Sequence, residues 1–410
     1  MDKPDAPFLN DPPELVRIAN QCVACGLCLP HCPTYRKTLS EADSPRGRIF
    51  MMRSVLEGQV PLSDAFAGHI DLCLSCRRCE LVCPSRVEYG KLVEGMRAHL
   101  AREHPLPAGR RWLRDRLLAL AASPRQLKLA GALLRLWQRL GLSALAGGLL
   151  QGLGLKRQEA ALPEVKNDWQ VVRSASGPRG EVGLFLGCVA RFADSETLQA
   201  TAYVLEQLGY GVRVPEDQTC CGALHRHAGE PGQAADLDRR NREAFAGLDT
   251  VIVAATGCAP ALREALAPAG IAVREATEFL AQAEGWDNAQ LAPLNGKIAV
   301  HEPCSQANVL QDTASPYALL KRIPGAEIVP LPGNDQCCGG AGAYFLLQPR
   351  MANALLDDKI QAIKDIVPRY VATANLGCAL HMGCGVKDSG METELLHPVT
   401  LVARQMGFKH

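Results

Sequence analysis

From residue 176 onward, short apolar runs alternate with longer stretches of helical pattern. Residues 182–186, 212–214 and 251–254 are such runs in one half, and residues 298–300, 328–330 and 370–372 are their counterparts in the other. Each run is too short for a helix and is rich in Val, Ile and Ala, so it reads as a buried strand; strands alternating with helices imply βαβ units and a mainly parallel sheet. Residues 110–153 show a different period. Leu127, Ala130, Leu133, Leu134, Trp137 and Leu140 recur at steps of three and four, the stripe of an amphipathic helix, with Lys128, Arg135 and Arg139 off it. The stripe is expected to pack on the sheet domain or on a partner, with a membrane surface as the alternative. Arg135, Gln138, Arg139 and several glycines interrupt this region, which rules out a spanning helix.

The two halves of the strand-rich region repeat each other. In the first, the runs lead to Gly187-Cys188, to Cys220-Cys221-Gly222 and to Gly257-Cys258; in the second, they lead to Pro303-Cys304, to Cys337-Cys338-Gly339 and to Gly377-Cys378. Cys188 to Cys220 spans 32 positions and Cys304 to Cys337 spans 33. Ligands of open α/β sheets bind beyond the carboxyl ends of the strands, so the cysteines of each half should converge. The chain therefore divides into residues 1–105 with eight cysteines, a cysteine-free helical linker or docking region at 106–175, and two Cys-Cys-Gly α/β repeats at 176–285 and 286–410. The expected fold is α+β and multidomain: an N-terminal α-helical, ferredoxin-like two-cluster domain, a helical middle, and a duplicated α/β region with mainly parallel sheets.

Composition changes the picture at one point. The 410 residues are 47% hydrophobic and 21% charged with a net charge of +1, which gives no field for nucleic acid. The 17 cysteines stand out. Residues 1–13 are polar and carry no export-signal pattern, so cysteines in this number read as metal ligands rather than disulfides. A cytoplasmic location is expected, with peripheral contact to the membrane face left open by the amphipathic stripe.

Two cysteine runs carry the most specific chemistry. Cys22, Cys25, Cys28 and Cys32-Pro33 have the spacing of the bacterial ferredoxin run, and Cys73, Cys76, Cys79 and Cys83-Pro84 repeat it. In two-cluster ferredoxins the fourth cysteine serves the other cluster. One 4Fe–4S cluster is thus expected on Cys22, Cys25, Cys28 and Cys83, and the other on Cys73, Cys76, Cys79 and Cys32. Zinc would need only a pair of Cys-x2-Cys elements per site. Arg46 and Arg48, in the Ser44-Pro45-Arg46-Gly47-Arg48 segment between the runs, either tune the clusters or begin a helix with a basic face.

Each C-terminal half offers four thiols, Cys188, Cys220, Cys221 and Cys258 or Cys304, Cys337, Cys338 and Cys378. They fit a further iron–sulfur cluster, a zinc site, a dithiol–disulfide couple or inert buried thiols; eight in register across a repeat favour a redox or metal site. The glycine after each vicinal pair permits the sharp turn that such a pair requires. Gly339-Gly340-Ala341-Gly342 follows a cysteine pair, which argues against a nucleotide loop. Of the nearby histidines His225, His227, His301 and His381, His227 and His381 are the preferred catalytic candidates, and Cys384 is an incidental thiol.

Two ferredoxin runs followed by two Cys-Cys-Gly modules resemble the iron–sulfur subunit of glycolate oxidase. The likeness rests on residues 22–33, 45–49, 73–84, 187–188, 220–223, 256–258, 337–344 and 373–378. Iron–sulfur subunits of anaerobic glycerol-3-phosphate dehydrogenase and heterodisulfide reductase subunits share the plan. The latter close each module with Cys-x2-Cys, whereas Cys258 and Cys378 are followed at that spacing by Ala261 and His381. This departure argues against their noncubane clusters and disulfide chemistry. The resemblance implies an electron relay from a separate FAD subunit, which oxidises the 2-hydroxy acid, to a quinone-type acceptor, with no FAD or NAD on this chain. Lactate or glycerol 3-phosphate as the substrate of the complex, and reductase chemistry at the Cys-Cys-Gly site itself, are the alternatives.

Overall fold

The computed structural model describes residues 11–139 and 177–409. The N-terminal part is helical. Helices Pro12–Asn20, Pro45–Leu56, Asp64–Asp71 and Tyr89–Glu103 enclose a core of Leu15, Ile18, Met52, Ile70, Leu92, Val93 and Met96. Local chemistry sets their starts. Pro45 stands in the first turn of its helix, and Ser44 caps that helix by accepting from the Gly47 N–H at 2.9 Å. Ser63 does the same for Phe66. The two cysteine runs are mostly irregular loops held between these helices.

Two further helices, Ala108–Ala122 and Pro124–Arg139, pack against each other. The expected stripe divides here. Leu127 is buried with Phe185 and Val253 of the first sheet, as a face packing on the sheet domain requires. Leu133 is instead 59% exposed, beside exposed Leu129 and Leu136. Leu140 and the side chains of Leu134 and Trp137 lie outside the described residues.

The remainder forms two four-stranded sheets. Strands β1 (Glu181–Phe185), β2 (Gly211–Arg213), β3 (Thr250–Val253) and β4 (Ala272–Glu275) lie in the order β2-β1-β3-β4. Strands β5 (Gly296–His301), β6 (Ala326–Pro330), β7 (Tyr370–Thr373) and β8 (Glu394–Leu396) lie in the order β6-β5-β7-β8. Every pairing is parallel. The chain reverses its direction of travel across the sheet between β1 and β3, and again between β5 and β7, so a crevice opens beyond the carboxyl ends of those strands.

The halves pack reciprocally. Helix Ser195–Gln207 of the first lies on Pro398–Gln405 of the second, and Ala276–Gln282 lies on Ala314–Leu320. A single apolar core results, drawing Leu184, Leu198 and Val204 from one half and Val300, Leu319 and Val402 from the other. Glu275 and His397, which cap equivalent helices, meet in this interface at 3.8 Å, both buried.

Candidate iron–sulfur and cysteine centres

The N-terminal cysteines line two neighbouring hollows. Cys22, Cys25, Cys28 and Cys83 line the first with Gly26 and Arg46. Cys32, Cys73 and Cys76 line the second with Thr34, Arg48 and Arg77, while Cys79 and Tyr89 border both. Each hollow therefore draws its fourth sulfur from the other run.

The backbone of the two runs is matched. Ala24 and Gly26 in the first, and Ser75 and Arg77 in the second, have φ of 57°, 81°, 52° and 57°. Such left-handed residues among right-handed ones turn successive N–H groups toward one side, a concavity that suits an anionic core. The Ser75 N–H donates to Cys73 Sγ at 3.4 Å. Arg77 stands where the first run has glycine, its guanidinium anchored on Glu80 at 2.6 Å.

The segment between the runs supplies fixed positive charge. Arg48 is 1% exposed. It donates through Nε to the His69 carbonyl at 2.7 Å and through Nη1 to Thr34 Oγ1 at 3.0 Å. Its Nη2 is buried with no hydrogen-bond partner among the described residues. Arg97 donates to the Cys73 carbonyl at 2.7 Å and to Ser75 Oγ at 2.8 Å. Burial opposes ionisation of Cys73, yet the Arg48 and Arg97 guanidiniums bring its thiol below the ordinary range. Burial pushes the Cys28 thiol up to about 11. Arg48 pairs with buried Asp43 at 3.8 Å yet keeps an N–H without a hydrogen bond, and it lines the hollow of Cys32, Cys73, Cys76 and Cys79, a setting that fits an anionic iron–sulfur core.

The C-terminal cysteines converge as their strand-end positions imply. Cys188 and Cys258 follow β1 and β3 at the crevice, and Cys304 and Cys378 follow β5 and β7. Cys220 Sγ lies 3.7 Å from Cys188 Sγ. The thiols pair in the same way in each half: Cys220 with Cys188 and Cys221 with Cys258, Cys337 with Cys304 and Cys338 with Cys378. Hydrogen bonds from Cys220 and Cys258 hold Cys221 well below the usual thiol range, and those from Cys337 and Cys378 do the same for Cys338.

Gly222 and Gly339, with φ of 80° and 85°, make the turns after the vicinal pairs. The turn also brings the Gly339 and Gly340 N–H groups to Cys337 and Cys338 Sγ at 3.4 Å each. Gly339 and Gly340 press against the backbone of Ala352 and Gly377, so this glycine run approaches the protein's own main chain.

Contacts link these regions. Cys76 and Leu74 of the second run share one apolar cluster with Cys304, Cys337 and Tyr344 of the second repeat. Asn308 donates to the Cys76 carbonyl at 2.8 Å and accepts from Arg78 at 3.2 Å. It stands on the π-helical stretch Ser305–Leu310 that begins after Cys304. Tyr344 OH donates to the Leu72 carbonyl at 2.8 Å. The two repeats meet beside their crevices through Thr256, Ser305 and Asn375, with Ser305 Oγ donating to Thr256 Oγ1 at 2.8 Å.

The histidines sort differently from their order in the sequence. His227 lies on the surface, 3.8 Å from Glu94. His381 is buried, stacks on Phe345 and places Nε2 at 3.2 Å from the Ala352 carbonyl. His301, at the end of β5, is the one grouped with sulfur: a ring nitrogen lies within 4.8 Å of Cys338 and Cys378 Sγ. Cys384 donates to the Leu380 carbonyl at 3.0 Å within its own helix.

Comparison with known proteins agrees with this arrangement. Residues 18–87 match the family model of a 4Fe–4S dicluster domain, and residues 182–263 and 298–383 each match that of a cysteine-rich domain. The probable glycolate oxidase iron–sulfur subunit of Bacillus subtilis (strain 168) is 33% identical, over 95% of this chain and 94% of its own. The glycolate oxidase iron–sulfur subunit of Escherichia coli (strain K12) is 29% identical, over 91% of each chain. A hypothetical protein from Helicobacter pylori shares the fold, with a TM-score of 0.54 at 10% identity, over 89% of this chain and 68% of that one. Residues 18–87 are thus the 4Fe–4S dicluster part, and with two cysteine-rich repeats behind it the chain belongs to the family of glycolate oxidase iron–sulfur subunits.

Proposed function

We propose that this chain is the electron-transfer subunit of a 2-hydroxy acid dehydrogenase complex, with glycolate the leading substrate. It takes electrons from an FAD-containing partner subunit and delivers them toward a quinone-type acceptor. Cys22, Cys25, Cys28 and Cys83 hold the first cluster, and Cys73, Cys76, Cys79 and Cys32 hold the second. When bound, these groups accept and release single electrons at potentials that the surrounding hydrogen bonds and charges set. Cys304, Cys337, Cys338 and Cys378 form a further metal centre, and Cys188, Cys220, Cys221 and Cys258 form its counterpart.

The observation that carries this reading is the packing of Cys76 against Cys304 and Cys337 in one apolar cluster, with Asn308 bonded across it. A metalloscaffold has no need to press a cluster loop against a second thiol centre; a relay does. The loop of the first run supplies an entry point. Cys25 is exposed, and Val23 and Leu27 beside it are 69% and 56% exposed, the apolar surface that docking a flavoprotein would cover. No described helix is long and apolar enough to cross a membrane. Exposed Trp112, Leu113 and Leu117 near Arg110 and Arg111 suit peripheral contact from the cytoplasmic side.

Anaerobic co-purification with an FAD-containing 2-hydroxy acid dehydrogenase subunit, followed by EPR after adding glycolate, lactate or glycerol 3-phosphate, tests the proposal. Reduction of the cluster signals by glycolate through the flavoprotein supports it. An iron-free chain, or clusters that no 2-hydroxy acid reduces in the reconstituted complex, overturns it.

A further inference from the structure

The internal repeat allows the two cysteine centres to be compared residue by residue, and one difference stands beside the sulfurs. Strand pairing sets Phe185 of β1 opposite Val253 of β3, and His301 of β5 opposite Thr373 of β7. Phe185 precedes Cys188 by the same interval that separates His301 from Cys304, and Val253 precedes Cys258 as Thr373 precedes Cys378. The pair Phe185–Val253 thus occupies in the first half the place that His301–Thr373 occupies in the second.

The two pairs offer opposite chemistry. Phe185 is buried among Cys188, Cys220 and Cys221, with its ring 6.3 Å from that of Phe245. Among the described residues, no histidine of this half is grouped with its thiols as His301 is with Cys338 and Cys378. His301 is 2% exposed. Its Nδ1 lies 2.9 Å from Thr373 Oγ1, and a ring nitrogen lies within 4.8 Å of Cys338 and Cys378 Sγ. A histidine that donates one ring N–H to an oxygen presents the lone pair of its other nitrogen, the arrangement typical of metal-bound imidazole. Histidine and its orienting hydroxyl are present together in one half and absent together in the other, as a ligand and its support would be.

We infer that His301 Nε2 is a ligand of the metal centre in the second repeat, alongside Cys338 and Cys378, with Thr373 as the positioning residue that fixes the ring. The first repeat has Phe185 and Val253 in that place, so this ligand position is not shared by the two centres. The assignment rests on the reading of the second repeat as a metal site. A neutral imidazole in place of thiolate charge raises the potential of an iron–sulfur centre. With His301 bound in place of one of its four thiolates, the second repeat, which abuts the second ferredoxin-type loop, would be the better electron acceptor of the two.

The test uses the full chain, purified anaerobically after growth on 15N-histidine. Pulsed EPR should show nitrogen coupling of a directly bound imidazole on a centre separate from the N-terminal clusters. That coupling should vanish in His301→Gln and persist in His381→Gln. A readout independent of paramagnetism is metal retention against a chelator. Thr373→Val, an outer-shell loss, should release metal from the second repeat roughly tenfold faster, and His301→Gln, a ligand loss, at least as fast, with the N-terminal iron retained. Metal content unchanged by Cys338→Ser would overturn the underlying reading of the repeat as a metal site. Metal lost in Cys338→Ser, but with only weak nitrogen coupling or with chelator resistance unaltered in His301→Gln, would overturn the ligand assignment alone.

Discussion

Gly47→Ala offers a severe test of the N-terminal architecture, because two effects of opposite sign compete there. Gly47 lies in the first turn of the Pro45–Leu56 helix. On helix propensity alone, alanine should stabilise this position by about 1 kcal/mol. The surroundings reverse the sign. A methyl group at Gly47 would overlap the Glu41 carbonyl oxygen and stand 2.8 Å from its carbon, closer than the 3.0 Å that real Cβ atoms respect. The obstacle is main chain and cannot yield cheaply, since the Ser44 N–H holds the Glu41 carbonyl at 2.9 Å and Thr34 Oγ1 holds that of Asp43 at 2.8 Å. Overpacking against a fixed neighbour costs about 3 kcal/mol, and displacement of the helix start breaks the Ser44 cap at a further cost of about 1 kcal/mol. The net loss is about 3 kcal/mol, on the order of a 10 °C fall in the melting of the N-terminal unit. Because the same turn carries Arg46 and Arg48, the clusters should report the damage. Visible absorption, iron analysis and EPR of the anaerobic protein should show the second cluster depleted before the C-terminal sheets melt. A variant with native iron, spectrum and melting would refute both the steric argument and the role given to this segment.

Three other outcomes are expected. Tyr89→Phe removes the hydroxyl that donates to Cys73 Sγ at 3.6 Å; a loss of about 1 kcal/mol is equivalent to about 40 mV for one electron, so an EPR-monitored titration should find the second cluster harder to reduce by that amount. An unchanged midpoint would count against Cys73 as its ligand. Burial raises the Glu275 carboxyl to about 7, so the fold favours its neutral form; the associated stability is present in acid and is lost as pH rises through about 7. Glu275→Gln should therefore melt increasingly above the native chain between pH 5 and pH 8, by up to about 3 kcal/mol, and a pH-independent difference would contradict the shift. Asn308→Ala removes bonds to the Cys76 carbonyl and to Arg78; hydrogen exchange should rise by about tenfold in the 73–83 loop with iron content unchanged, the equivalent of about 1.4 kcal/mol. Undisturbed exchange there would mean that the loop does not depend on the second repeat.

What sequence reading recovers depends on how far apart the interacting residues are. The ferredoxin runs are legible because their spacing is a property of the local chain, and the central strands because parallel strands buried on both faces are continuously apolar. Of the edge strands, β2 and β6 still show a Val or Ile run, whereas β4 and β8 escape, since Ala272-Val273-Arg274-Glu275 and Glu394-Leu395-Leu396 mix charged with apolar residues and are partly exposed. The contact of Cys76 with the second repeat joins residues more than two hundred positions apart, and no periodicity encodes it. Histidine order is likewise a poor guide. His381 follows Cys378 closely, yet the helix that carries it turns the ring onto Phe345 and the Ala352 carbonyl. His301 ends a strand that delivers its ring among the thiols. Arg97 and Tyr89 reach Cys73 from a helix whose sequence marks them as nothing more than ordinary polar and aromatic positions.

The apolar core that the two repeats hold in common has a kinetic meaning. Leu198 and Val402, or Ile252 and Leu319, cannot separate without exposing the interior of both halves at once, so the scaffold has no low-energy hinge along which one thiol centre could swing away from the other. If both centres hold redox metal as proposed, tunnelling between them would occur across a gap of constant width. The turnover of such a frame should be indifferent to solvent viscosity, and it should slow only at the surfaces where donors and acceptors come and go.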